Sequence, residues 1–405
     1  MIEGSPTRFE PLFPSEASVN SVLGLAHELV QDAVRLDAQL PAGASRSVLT
    51  ALLREMNSYY TNRIEGQHTF PMDIQRALAG DYSQDSDRAR RQRLALAHIH
   101  TENWAEQTLA DGGWRAVYAP EILQALHRHL YEQLPPEDRA IPEGEIVEPG
   151  AWRAHDVQVG THVAPPASSV PVFLERWQEA YARLPDGERA VIGVACAHHR
   201  LTWVHPFLDG NGRVARLHSH LLFYRMGLLN GLWSPMRGLA RTRERYYECL
   251  SGADAQRSGD LDGRGNLSEA GLLNFVRYFL EICLDQVRFM RRLLEFTGMR
   301  ERMRELLTVE SMKAGSHLRP EAAHALHYLF LVGILTRGEF KAMTGLPKRT
   351  AERVLAELLR RDLLCSDSPK GPVRIGIPLW ALRYYFPNLW TEAENDTSST
   401  NMPRA

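Results

Sequence analysis

Between its turn signals, almost every long stretch of this chain repeats apolar residues at intervals of three and four, which restricts it to helices. Val48, Leu52, Leu53 and Met56 show the pattern, as do Leu123, Leu126, Leu130 and Leu134, and Leu273, Val276, Phe279, Leu280 and Cys283. Strand-like alternation is confined to two places. Val157-Gln158-Val159, Gly160-Thr161 and His162-Val163 read as a small hairpin, and Leu363 to Cys365 pairs with Val373 to Ile377 across a turn rich in serine, proline and glycine. The expected fold class is all-α, with two small hairpins.

At 405 residues the chain is long enough for more than one core. The expected divisions are an N-terminal helical region over 1–115, a central helical core over 116–290, a linker helix over 291–315, a small C-terminal domain over 316–388, and a tail over 389–405 too poor in apolar residues to fold. Cysteines 196, 249, 283 and 365 are far apart, so neither a disulfide framework nor a zinc ribbon is expected. The longest strongly apolar run, Tyr328 to Leu335, is too short to span a bilayer. The expectation is a cytoplasmic, soluble protein without membrane contact.

The stretch richest in chemistry runs from Val204 to Arg216 and reads Val-His-Pro-Phe-Leu-Asp-Gly-Asn-Gly-Arg-Val-Ala-Arg. Gly210-Asn211-Gly212 is a tight turn into a helix, because Val214, Leu217, Leu221 and Leu222 continue with helical spacing. Backbone N–H groups at such a helix start attract an anion, and Arg213 and Arg216 can fork onto phosphate oxygens. Asp209 offers a hard oxygen for Mg2+. His205 titrates near neutrality and could accept a proton from a hydroxyl. A base, a metal carboxylate, an anion nest and two cations are the parts that phosphorus-group transfer to an alcohol requires.

These residues match HxFx(D/E)GNGRxxR at every defined position, and the chain resembles the Fic family. The resemblance implies an all-helical core with a β-hairpin flap, and transfer of AMP from ATP to a hydroxyl side chain of a protein target with release of pyrophosphate. It implies His205 as general base, Asp209 as the Mg2+ ligand, Gly210, Asn211 and Gly212 as the cradle of the α- and β-phosphates, Arg213 at the leaving group and Arg216 on the γ-phosphate. Val157, Val159 and His162 resemble the flap that aligns a target segment by strand addition. Arg245 to Leu250 is similar to the family's RxxYYxxL-like stretch, which puts Tyr246 and Tyr247 near the adenine or in the core.

Upstream, Thr61-Asn62-Arg63-Ile64-Glu65-Gly66 closes a helix expected from about 46 to 66 and resembles the inhibitory pattern (S/T)xxxE(G/N). Thr61 and Glu65 share a helix face. The resemblance implies that Glu65 pairs with Arg216 and displaces the γ-phosphate, and in some relatives the same glutamate helps water reverse the reaction.

Asp260 to Glu269 looks like a calcium loop but lacks the glutamate at its last position, so a plain loop capped by Ser268 is expected. His198-His199 reads as core. Residues 316–385 have the helix order of a winged helix-turn-helix, with Lys348, Arg349, Arg353 and Arg360 on the polar side of its long helix. They hold 11 Lys/Arg against 6 Asp/Glu, or +5, whereas the whole chain is at -2. The rival reading is therefore a DNA-binding transcriptional regulator whose core only senses nucleotide. Two further partners stay open: a second copy of the chain, and DNA through residues 316–385. The segments before residue 45 and from Arg88 to Leu109 match no motif.

Overall fold

The computed structural model describes residues 4–40, 42–109, 112–142, 144–160 and 162–396. In chain order the first helices are α1 (Glu16–Gln39), α2 (Ala44–Ile64), α3 (Pro71–Leu78), α4 (Ser86–Thr108), α5 (Gly113–Ala116) and α6 (Pro120–Glu132). Then come strands β1 (Gln158–Val159) and β2 (His162–Val163), and helices α7 (Val170–Ala182), α8 (Glu188–Val204), α9 (Asn211–Arg225), α10 (Met236–Arg241), α11 (Arg243–Asp254), α12 (Glu269–Leu293) and α13 (Phe296–Ser311). The C-terminal part holds α14 (Ala323–Val332), α15 (Arg337–Met343), α16 (Lys348–Arg360), β3 (Leu364–Cys365), β4 (Arg374–Ile375), α17 (Leu382–Tyr385) and α18 (Thr391–Asp396).

α8 and α9 form the centre. Nearly all of their residues are buried, as expected of helices surrounded on every side. Small residues make this close packing possible: a Cβ on Gly193 would lie 2.3 Å from Leu184 Cδ1. Around this pair lie α2, α4, α6, α7, α11 and α12. The stripe Val19, Val22, Ala26, Leu29, Ala33 and Leu36 turns α1 onto α12. Buried Asp32 of α1 accepts from Arg288 at 2.8 Å and Arg291 at 2.5 Å, so its charge is matched across the helix pair.

The expected periodicities correspond to helices throughout, and among the described residues the four strands form only two hairpins. In the first, Gln158 pairs with Val163 and Val159 with His162. In the second, Leu364 pairs with Ile375 and Cys365 with Arg374, and Leu335 bridges to Val373 beside it. α15 opens on a capping box between Thr336 and Glu339. Ser268 caps α12 by accepting from the Gly271 N–H at 2.9 Å. The loop before it is closed by Asp262, which accepts from Ser258 and Ala270 N–H groups at 3.0 and 2.9 Å.

The expected tail is corrected at its start. Leu389, Trp390 and Ala393 are buried, and Thr391–Asp396 is helical, because these few apolar side chains find a surface that other elements supply. Residues 397–405, the rest of that tail, lie outside the described residues, as does Thr161 between β1 and β2. One continuous apolar cluster runs from Phe9 through α8 and α9 to Leu382 and Ala393. No described helix is long and apolar enough to cross a membrane.

Candidate active site

The loop between α8 and α9 is shaped by three local devices. His205 ends α8 in the left-handed region at φ 50°. Gly210 takes φ 81° directly before α9, and a Cβ there would sit 2.6 Å from the Tyr131 hydroxyl oxygen, so only glycine fits. The Asn211 side chain turns back on the loop, accepting from the Phe207 N–H at 2.9 Å and donating to the Phe207 carbonyl at 2.8 Å. No side chain caps α9, whose first N–H groups form a helix N-terminus of the kind that attracts an anion.

Asp209 is held by Arg213 of the same loop and by Tyr131 of α6, which carries no sequence signature. The Tyr131 hydroxyl donates to its Oδ2 at 2.6 Å, and Arg213 Nη2 lies 2.8 Å from the same oxygen and 2.9 Å from the Tyr131 oxygen. Burial works against the Asp209 carboxylate, but the Arg213 charge and the Tyr131 hydrogen bond outweigh it and hold the pKa below the ordinary value. His127 is stacked 4.0 Å from the Phe207 ring; it accepts from Gly150 N–H at 2.8 Å and faces the Asp209 carbonyl at 3.2 Å. Those two contacts call for the Nε2–H tautomer.

Burial pushes the pKa of His205 down to about 4, so it is neutral at pH 7. Arg153 fastens the flap to it. Its backbone N–H donates to the Pro206 carbonyl at 2.9 Å, and its guanidinium donates to the His205 and His155 carbonyls at 2.8 Å each and to that of Pro165. His162 in β2 lies 2.7 Å from the Trp203 carbonyl. Val159 and Val163 remain exposed.

α2 ends in a Schellman motif: Gln67 N–H donates to Asn62 carbonyl at 2.9 Å, and Gly66 N–H to Arg63 carbonyl at 3.0 Å, with Gly66 at φ 76°. That geometry fixes Glu65, whose Oε1 accepts from Arg216 Nη2 at 2.5 Å. Arg216 Nε donates to Thr61 Oγ1 at 2.7 Å, so both matched residues of the upstream pattern hold one guanidinium. A Cβ on Gly212 would fall 2.4 Å from Glu65 Oε1, which puts this carboxylate directly over the start of α9. Arg243 Nε and the Tyr247 hydroxyl both donate to the Ile64 carbonyl, at 2.8 and 3.2 Å.

A cleft of about 380 Å³ brings together Glu65, Val159, His162, His205, Asn211, Gly212, Arg216, Tyr246 and Tyr247. Asp209 and Arg213 lie against Tyr131 on the other side of the loop, and Val157 does not line the cleft. Tyr246 is buried, with its oxygen 2.7 Å from His198 Nε2, whereas Tyr247 is partly exposed. The unplaced segment Arg88 to Leu109 is largely α4, which brings Glu102 and Glu106 to His220 of α9. Arg54 pairs with Glu106 and approaches Glu102 at 3.9 Å, so it matches carboxylate charge within this buried trio.

The family model of the Fic/DOC family matches residues 118–223. A protein adenylyltransferase Fic from Drosophila willistoni is 29% identical over 130 residues, 32% of this chain and 25% of that protein. One from Drosophila yakuba is 31% identical over 117 residues, 28% of this chain and 22% of that one. The chain thus aligns with about a quarter of the length of these relatives. In structure, a Fic family protein from Desulfovibrio desulfuricans G20 aligns with a TM-score of 0.50 at 19% identity, covering 90% of this chain and 97% of its own. Fic-1 from C. elegans gives 0.51 at 18% identity, covering 69% and 76%. At these identities the structural likeness speaks for the fold. Residues 118–223, which match the Fic/DOC family model, carry the His205–Arg216 loop, the β1–β2 hairpin and the supporting His127, Tyr131 and Arg153.

Proposed function

We propose that this chain is a protein adenylyltransferase that moves AMP from ATP onto a Ser, Thr or Tyr hydroxyl of a protein target, releases pyrophosphate, and is autoinhibited by Glu65. The observation that carries this reading is one guanidinium, Arg216, buried beside the N-terminus of α9 and occupied by Glu65 and Thr61. Neutral His205 takes the proton of the target hydroxyl as its oxygen attacks the α-phosphorus. The N–H groups at Gly210, Asn211 and Gly212 bind phosphate oxygens, and Arg213 neutralises charge that develops on the leaving group. The exposed edge of the flap aligns the target by strand addition, and Tyr246 and Tyr247 border the base. Asp209 suits Mg2+, being ionised and with its side chain 45% exposed; the ion would neutralise triphosphate charge.

Glu65 withholds Arg216 from the γ-phosphate and sets a negative charge where the triphosphate would lie. With labelled ATP and Mg2+, the Glu65→Gly variant is expected to modify itself about tenfold or more faster than wild type, and His205→Ala not at all, read as AMP mass shifts. An unchanged rate in Glu65→Gly removes the brake, and no AMP transfer by any form removes the enzyme reading.

The second reading concerns the C-terminal part. The order α14, α15, α16 and hairpin supports a winged helix-turn-helix, and Lys348, Arg349 and Arg353 are exposed on α16 opposite buried Val354, Leu355 and Leu358. Such a face suits DNA phosphates. A gel shift of the full chain that weakens in Arg349→Ala and Arg353→Ala supports it.

A further inference from the structure

The brake depends on α2 staying in place, and the far side of its last turn is held by the C-terminal end of the described chain. Counting around the helix, Tyr59 and Arg63 project roughly opposite Thr61. The Tyr60 hydroxyl donates to the Glu392 carboxylate at 2.8 Å, and the Arg63 guanidinium pairs with the same carboxylate. The Tyr59 ring lies 5.6 Å from that of Trp390, which is fully buried. Arg237 of α10 donates to the carbonyls of Asn388 and Leu389 at 2.7 and 3.0 Å, fixing the segment's path, and is itself held by Gln286 of α12 at 3.1 Å.

Besides Arg243 and Tyr247 on the Ile64 carbonyl, two grips hold the turn that presents Glu65. Arg216 holds it through Thr61 and Glu65, and Glu392 holds it through Tyr60 and Arg63. The second grip can open without repacking a core. The Arg63 and Glu392 side chains are 36% and 28% exposed, and a cavity of about 500 Å³ beside them, lined also by His68, Arg241 and Arg243, gives the carboxylate room to swing.

We propose that Glu392 is a positioning residue of the autoinhibited state: a C-terminal latch on α2 that sets how firmly Glu65 occupies Arg216. The segment from Asn388 to Ala393 follows α17, whose Tyr385 carbonyl accepts from Arg302 of α13 at 3.0 Å, and the adjacent Phe386 packs near Phe330 of α14. Displacement of the C-terminal part would thus reach Glu65 through Glu392. The latch rests on the adenylyltransferase reading above, and its test separates the two.

Self-modification by the full-length chain is compared in wild type, Glu392→Gln, Arg63→Gln, Glu65→Gly and the double variant Glu65→Gly/Glu392→Gln. Loss of one partly exposed ion pair is expected to raise the rate about threefold in each of the two latch variants. No increase is expected on top of Glu65→Gly, and that unimpaired double variant also reports an intact catalytic core. The exchanged pair Arg63→Glu/Glu392→Arg is expected to return the rate toward wild type. Activation in Glu65→Gly but none in Glu392→Gln or Arg63→Gln overturns the latch and leaves the enzyme standing. A further rise of Glu65→Gly on adding Glu392→Gln also overturns it, because the effect would not pass through the brake. An inactive Glu65→Gly removes the underlying reading instead.

Discussion

Tyr131 shows how one hydroxyl can organise a charged site. It donates to Asp209 and receives a hydrogen bond from Arg213, so both groups are held in one orientation before any ligand arrives. In Tyr131→Phe the ring that packs on Gly210 stays, but both hydrogen bonds go. At about 1 kcal/mol each, the expected result is a loss of about thirtyfold in kcat/KM for ATP in the Glu65→Gly background, with a higher Mg2+ requirement. A titration of activity against Mg2+ checks it, and equal Mg2+ curves for the two proteins would remove Tyr131 from this role. The proposed base, His205, has its own signature. Because burial holds His205 near 4, the acid limb of kcat/KM should lie well below the ordinary histidine value of 6.5. A pH profile with an apparent pKa near 6.5 would contradict that assignment.

Among the elements, α2, α4 and α9 are joined by a buried network of Arg54, Glu102, Glu106 and His220. His220 Nε2 lies 2.7 Å from Glu106 and 3.9 Å from Glu102, and Asn57 of α2 donates to Glu102 at 3.1 Å. Burial pushes the Glu102 pKa up to about 7, and it also opposes the charge on His220, which the two glutamates restore to leave its pKa raised. Removing Arg54 strands buried carboxylate charge. Arg54→Met is therefore expected to cost about 3 kcal/mol in urea unfolding, while Arg54→Lys, which keeps the charge, should cost less. Equal losses in both variants would mean that packing, not charge, dominates there. Ion-pair partners of this kind are not legible in a sequence. Arg54 and Glu106 are 52 positions apart, and helical periodicity marks apolar faces only.

Across the whole molecule, His98, His127, His129, His198, His199, His205, His218 and His327 all have pKa values lowered, in each case by burial first. A folded pKa below the unfolded one gives stability that is complete above about 6.5 and lost as pH falls toward the folded value. For those pushed to about 4, namely His127, His205 and His218, the window is 6.5 down to 4. His220, with its raised pKa, acts in the opposite sense, contributing below 6.5 and losing that contribution as pH rises through its folded pKa. The lowered histidines outnumber the groups acting in the opposite sense, His220 and the raised carboxylates Glu55 and Glu102, so acid lability is predicted, at up to about 1.4 kcal/mol per pH unit for each group titrating. Urea midpoints measured from pH 7 to pH 5 should fall steadily; a flat profile would mean these imidazoles are not buried neutral.

By itself the sequence determined the helical class, because three- and four-residue periodicity depends on neighbours along the chain. It determined the His205 to Arg216 loop as well, since glycine conformations, a helix start and its charges are encoded within thirteen residues. Glu65 was legible only beside that loop, and its contact with Arg216 was decided by how α2 packs on α9. Tertiary structure alone brought His127 and Tyr131 to the loop, turned the unplaced α4 into the support for His220, and ordered Leu389 to Ala393 against α2. Each of these rests on partners tens to hundreds of positions away, as with Glu392 and Arg63, 329 positions apart. Burial and charge pairing at such separations are properties of the packed molecule, with no counterpart in local residue patterns.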